Sequence, residues 1–100
     1  MTIRVHATVT VAPEVVAEAL DRAREMVLAD PNVLHAEIGP CIDARTGAPR
    51  PGHYVVTTVF ADVDALHRYA AGPKHSEVLA WSLPLTIDEH VAIYEIEDVK

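Results

Sequence analysis

The first ten residues after Met1 alternate. In "TIRVHATVTV", Ile3, Val5, Ala7 and Val9 fall on one side, with Val11 continuing the set, and Arg4, His6, Thr8 and Thr10 fall on the other. A period of two in β-branched residues predicts a strand with one buried face. The period then changes. Through "APEVVAEALDRAREMVLADP", Val16, Leu20, Ala23 and Val27 recur at helical spacing. Pro13 and Glu14 suit the first turn of that helix, and Asp30-Pro31 ends it. "NVLHAEIGPCI" reads as a second strand with a bend at Gly39-Pro40, "DARTGAPRPG" as a loop of turn formers, and "HYVVTTVFA" as a third strand. Asp62 is placed to cap "VDALHRYAA", and Gly72 to end it as a C′ residue. Pro73 opens "PKHSEVLAWSL", Pro84 stops it, and "IDEHVAIYEIE" is the last strand.

The order β-α-β-β-α-α-β is the ferredoxin-like split pattern, with an α+β fold, a four-stranded antiparallel sheet and all helices on one face. Val5, Val9 and Val11 are the partners for those helices. The other face carries His6, Thr8, Thr10, His53 and Thr57, but also Val55 and Val59. A half-apolar sheet face calls for a cover. Two such sheets facing one another make a dimeric α+β barrel, so a homodimer is expected.

Composition narrows the partners. One hundred residues make one small domain, and 50% hydrophobic residues exclude a disordered chain. A net charge of −7 argues against nucleic acid and against an anionic membrane surface. Cys41 is the sole cysteine, which precludes an intrachain disulfide and fits a cytoplasmic setting. The alternating N-terminus is not a signal peptide, and no apolar run approaches the ~20 residues of a membrane span.

Four segments carry a resemblance to a known family. "IRVHATVTVAPEV", "HYVVTTVFADVDALHRYAAGPKH" and "VAIYEIE" resemble the opening strand and helix start, the strand-helix-turn and the closing strand of the stress-responsive A/B barrel (Dabb) domain; "DALHRYAAGPKH" is the most specific part. The resemblance spans nearly all of 1–100, as a single Dabb-like domain of the dimeric α+β barrel superfamily. It implies no cofactor. A plant polyketide cyclase of that family closes its product by aldol condensation, using a Tyr near a helix end and the His of a Pro-x-His turn. Tyr69 and His75 stand at those positions. Val5 and Tyr54 stand where the cyclase has histidines, and a further tyrosine of its first helix has no counterpart here.

The residues themselves support a site. Val63, Leu66, Tyr69 and Ala70 are spaced to share an inward helix face, and His75 is spaced to share a side with Val78 and Leu79. Tyr69 and His75 then converge at the helix break, with Val5, Leu66, Leu79 and Trp81 as pocket residues. Burial and the helix N-terminus both favour an uncharged imidazole, able to act as a general base while Tyr69 or Tyr54 donates a hydrogen bond to a developing enolate. The same His can instead cap the turn or bond a carbonyl, and the same Tyr can be core. His6, His53 and His90 would meet across a two-fold axis, but without ligand spacing such as His-x-x-x-His they assign no metal site. Cys41 reads as a small hydrophobe, His35 and His67 as edge positions, and Glu37 and Asp88 as surface charges.

Three readings follow. The first is a small cofactor-independent enzyme, of cyclase or isomerase type, that acts on an apolar or aromatic carbonyl-bearing molecule; a cofactor-free monooxygenase is its close variant. The second is a non-catalytic dimeric module for small-molecule binding or stress response, and the third a metal-binding dimer. The discriminator is the space between helices and sheet. An enzyme keeps it open beside Tyr69 and His75, whereas a scaffold fills it with Met26, Leu66, Leu79 and Trp81.

Overall fold

The computed structural model describes residues 2–100 and bears out the alternation element by element. Strand β1 spans Ile3–Thr10, helix α1 Val16–Ala29, strands β2 and β3 His35–Ile42 and Pro49–Phe60, helices α2 and α3 Val63–Ala71 and Pro73–Ser82, and strand β4 Asp88–Glu95. Single 3₁₀ turns at Pro13–Val15 and Leu83–Leu85 precede α1 and follow α3. The sheet order is β2-β3-β1-β4 and every pairing is antiparallel. This is the ferredoxin-like α+β fold.

Register decides which side chains share a face. On β1, Val5 opposes Thr58 and Ile93, Ala7 opposes Val56 and Val91, and Val9 opposes Tyr54 and Glu89. This face meets the helices. Toward one end, Val9, Val11, Ala19 and Tyr54 form a buried cluster with Leu20 and Trp81 against it; toward the other, Phe60, Ala65 and Tyr69 form a second, with Val5, Met26 and Leu66. The outer face carries His6, Thr8, Thr10, His53, Val55, Thr57 and Val59, as the period-two pattern requires.

Three local readings are corrected. Strand β3 begins at Pro49, so part of the presumed loop is strand, paired with Ile42 across a register shift in β2. Gly72 is not left-handed: with φ −70° and ψ 153° it is the extended joint that ends α2 and starts α3. A Cβ there would lie 3.2 Å from the Tyr69 carbonyl oxygen, a tight approach. On α2 the buried stripe is Ala65 and Tyr69 with Leu66 beside them, whereas Val63 is 43% exposed and Ala70 is also exposed. Asp62 does cap α2, accepting from the Ala65 amide at 2.8 Å. Helix α3 has no fully buried residue.

Gly52 is a conformational requirement. Its φ is +81°, its carbonyl accepts from Val11 N–H at 2.8 Å, and a Cβ would fall inside contact distance of the Val11 carbonyl oxygen. Gly52→Ala is expected to cost about 1–3 kcal/mol, read as a lower urea midpoint at unchanged m-value.

Candidate functional site

A hollow of about 210 Å³ opens between the helices and the sheet. Its floor is Val5, Ala7 and Val9 of β1. Helix α1 lends Ala19, Ala23 and Met26, and α3 lends His75, Val78, Leu79 and Ser82. Small side chains leave the room: Ala7, Ala19 and Ala23 stand where larger ones would close it. The space is therefore not filled by Met26, Leu79 and Trp81, which line it instead.

Of the site residues expected from sequence, His75, Tyr69, Tyr54, Val5, Leu79 and Trp81 all border the hollow. Leu66 does not; it packs in the cluster of Phe60, Ala65 and Tyr69. Tyr69 and His75 are in edge contact, with ring centroids 5.0 Å apart at 66°. Phe60 supports Tyr69 from below at 5.2 Å. The Gly72 joint turns α3 back so that a residue three positions later meets the last turn of α2. His75 Nδ1 is buried and has no hydrogen-bond partner among the described residues.

Burial, and next the Asp30 carboxylate, push the Tyr69 phenol well above its ordinary range. Burial, and next the charge of Glu89, raise that of Tyr54. Both hydroxyls stay protonated at neutral pH and serve as hydrogen-bond donors. Tyr54 shares a row with Val9, whereas Tyr69 lies over Phe60 and Val5, four strand residues away, or roughly 13 Å at ~3.3 Å per residue. The hollow therefore runs along β1 from the Val5 row to the Val9 row.

Sequence reasoning missed Thr58, Thr86 and Glu89, which also line the hollow. Glu89 had a readable signal: it shares strand parity with Val91 and Ile93, which places a carboxylate on the inner face. Trp81, set between pocket and core by its spacing, borders the hollow and carries the Arg22 guanidinium over its ring at 4.3 Å. Arg22 is held by Glu18 at 3.1 Å, the helix pair its spacing suggests.

The outer-face histidines are engaged within the chain. His6 Nδ1 shares a 3.0 Å hydrogen bond with Thr57 Oγ1, His53 Nδ1 a 3.1 Å bond with Thr10 Oγ1, and His90 lies 3.1 Å from Asp88. Among the described residues no group of three His, Cys, Asp or Glu side chains gathers as metal ligands would. No helix there is long and apolar enough to cross a membrane.

Fold and register together define a ferredoxin-like α+β protein with an apolar hollow under its helices. No family model matches the chain, and no curated protein matches it. Solved structures do. A dimeric ferredoxin-like protein of unknown function from Thermobifida fusca YX superposes with a TM-score of 0.80 at 19% identity, over 96% of this chain and 92% of that one. SnoaB, a cofactor-independent oxygenase from Streptomyces nogalater, gives 0.75 at 17% identity, over 98% and 95%. An antibiotic biosynthesis monooxygenase gives 0.75 at 21%, over 96% and 99%. At these identities the likeness is one of fold.

Proposed function

We propose that this chain is a cofactor-independent enzyme that removes a proton from an apolar or aromatic, carbonyl-bearing small molecule held between helices and sheet. The observation that carries the reading is the state of His75. A histidine kept to cap a turn or tie a carbonyl has its polar atoms satisfied. His75 instead borders an apolar hollow with a buried nitrogen that no described residue meets. His75 is the base, and the Tyr69 hydroxyl donates to the oxygen on which charge develops. Return of the proton elsewhere gives isomerisation; attack of the carbanion on a second carbonyl gives cyclisation, the chemistry implied by the Dabb-like segments. The fold shared with a cofactor-independent oxygenase favours a second outcome from the same anion, reaction with molecular oxygen.

The working unit in this reading is a homodimer. On the outer sheet face Val55 sits among polar residues, and Arg4 Nε is buried without a partner in the described residues. On the helix-facing side, edge strand β4 leaves Val91 52% and Ile93 59% exposed. Light scattering at micromolar concentration is expected to give twice the chain mass, and a monomer there would sink the barrel arrangement.

The function is tested by NMR on the six histidines during titration with phenols, β-diketones and polyketide-like acids. A ligand that moves the His75 ring signals and leaves those of His35 and His67 in place supports the site. If no member of the panel moves His75, the enzyme reading fails.

A further inference from the structure

The end of the hollow away from His75 carries polar groups for which this chemistry has no use. Tyr54 and Glu89 flank Val9 in one cross-strand row and point to the same face, and both border the hollow. Two strand spacings separate their backbones, about 10 Å, with Val9 between. The Glu89 charge is felt at the Tyr54 phenol, which stays protonated.

The other polar side chains at this end are already occupied. Ser82 Oγ donates to the Leu79 carbonyl at 3.2 Å and Thr86 Oγ1 to the Ser82 carbonyl at 2.9 Å. Arg22 is stacked on Trp81 and tied to Glu18. A phenol that donates and a carboxylate that accepts are left bordering the hollow, Glu89 from an exposed position on β4.

We infer that Tyr54 and Glu89 form a recognition subsite for an uncharged hydroxyl at the end of the substrate remote from its reacting carbonyl, and that an anionic group is turned away there. A hydroxyl both accepts and donates, so one such group satisfies both side chains. A carboxylate or phosphate can accept from Tyr54 but finds no donor in Glu89 and meets its like charge. The inference rests on the function proposed above and narrows it. The substrate is an elongated, neutral hydroxyaryl ketone or its equivalent, with its hydroxyl and its reacting carbonyl toward opposite ends of the hollow. Acids and phosphate-bearing thioesters are disfavoured unless the charged part stays outside.

Chalcone, 4-hydroxychalcone and 4-carboxychalcone test this as a matched set. Trp81 is the single tryptophan and borders the hollow, so its fluorescence reports binding, with calorimetry as the second readout. The wild-type protein is expected to bind 4-hydroxychalcone about tenfold more tightly than chalcone, and 4-carboxychalcone more weakly than either. Tyr54→Phe is expected to remove the preference for the hydroxyl. Glu89→Gln, at an exposed position that leaves the core untouched, is expected to remove the rejection of the carboxylate. Equal affinity of the wild type for chalcone and 4-hydroxychalcone overturns the subsite and leaves the His75 site standing. So does a ranking that survives both substitutions. If none of the three binds, the hollow is not a ligand site for such molecules and both inferences fall together.

Discussion

His75→Ala is expected to lower turnover by about 10²–10⁴-fold, the usual worth of a positioned general base, without unfolding the protein. The second half of that expectation follows from the surroundings of His75. Its ring is half-buried, α3 has no fully buried residue, and Nδ1 makes no hydrogen bond in the described residues whose loss could harm the fold. The far-ultraviolet circular dichroism and the sedimentation coefficient are therefore expected to be unchanged. Tyr69→Phe keeps the ring that packs on Phe60 and removes only the donor, so it is expected to cost rate far more than stability. A His75→Ala protein that fails to fold, or that turns over at the parental rate, would return the residue to a structural role.

Phe60→Ala is the largest stability effect to expect, about 3–5 kcal/mol by urea unfolding. Phe60 is the one large side chain with 0% exposure among the described residues, and Ala65 and Tyr69 of α2 bury against it. A domain of this size commonly has 5–15 kcal/mol in total, so the loss is a large fraction of the whole. The variant also tests how site and core are joined. With the ring gone, Tyr69 loses the surface that sets its angle to His75, and ligand affinity is expected to fall even where the fold survives in the cold. A loss below about 1 kcal/mol would mean that the α2 end of the core is looser than its packing implies.

The strands were legible because a two-residue period leaves little freedom: the parity of β1 assigned both faces of the sheet, and β3 followed from the same rule. The start of β3 was not, because Pro49, Pro51 and Gly52 have turn chemistry, and only pairing with β2 makes that stretch a strand. On α2, hydrophobicity alone favoured Val63 and Ala70, yet the helix presents Ala65 and Tyr69; phase within a short helix is set by what it lands on, here Phe60. His75 and Tyr69 were readable as a converging pair because helix spacing and the break at Gly72 are local facts. The two ends of the hollow were not. Separating Tyr54 from Tyr69 needs the cross-strand register, and the room itself comes from three alanines on two elements, each unremarkable in its own segment.

Helix α3 has no fully buried residue, and it is joined to α2 by one extended glycine. A wall held so lightly has a local opening free energy below that of the sheet, and its amides are expected to exchange with solvent well ahead of those of β1 and β3. The wall that carries His75 is then also the wall that breathes. A ligand wider than the mouth reaches the imidazole during the fraction of time α3 stands away from α1. Its association rate would carry the steep temperature dependence of a local unfolding event and not the shallow one of diffusion.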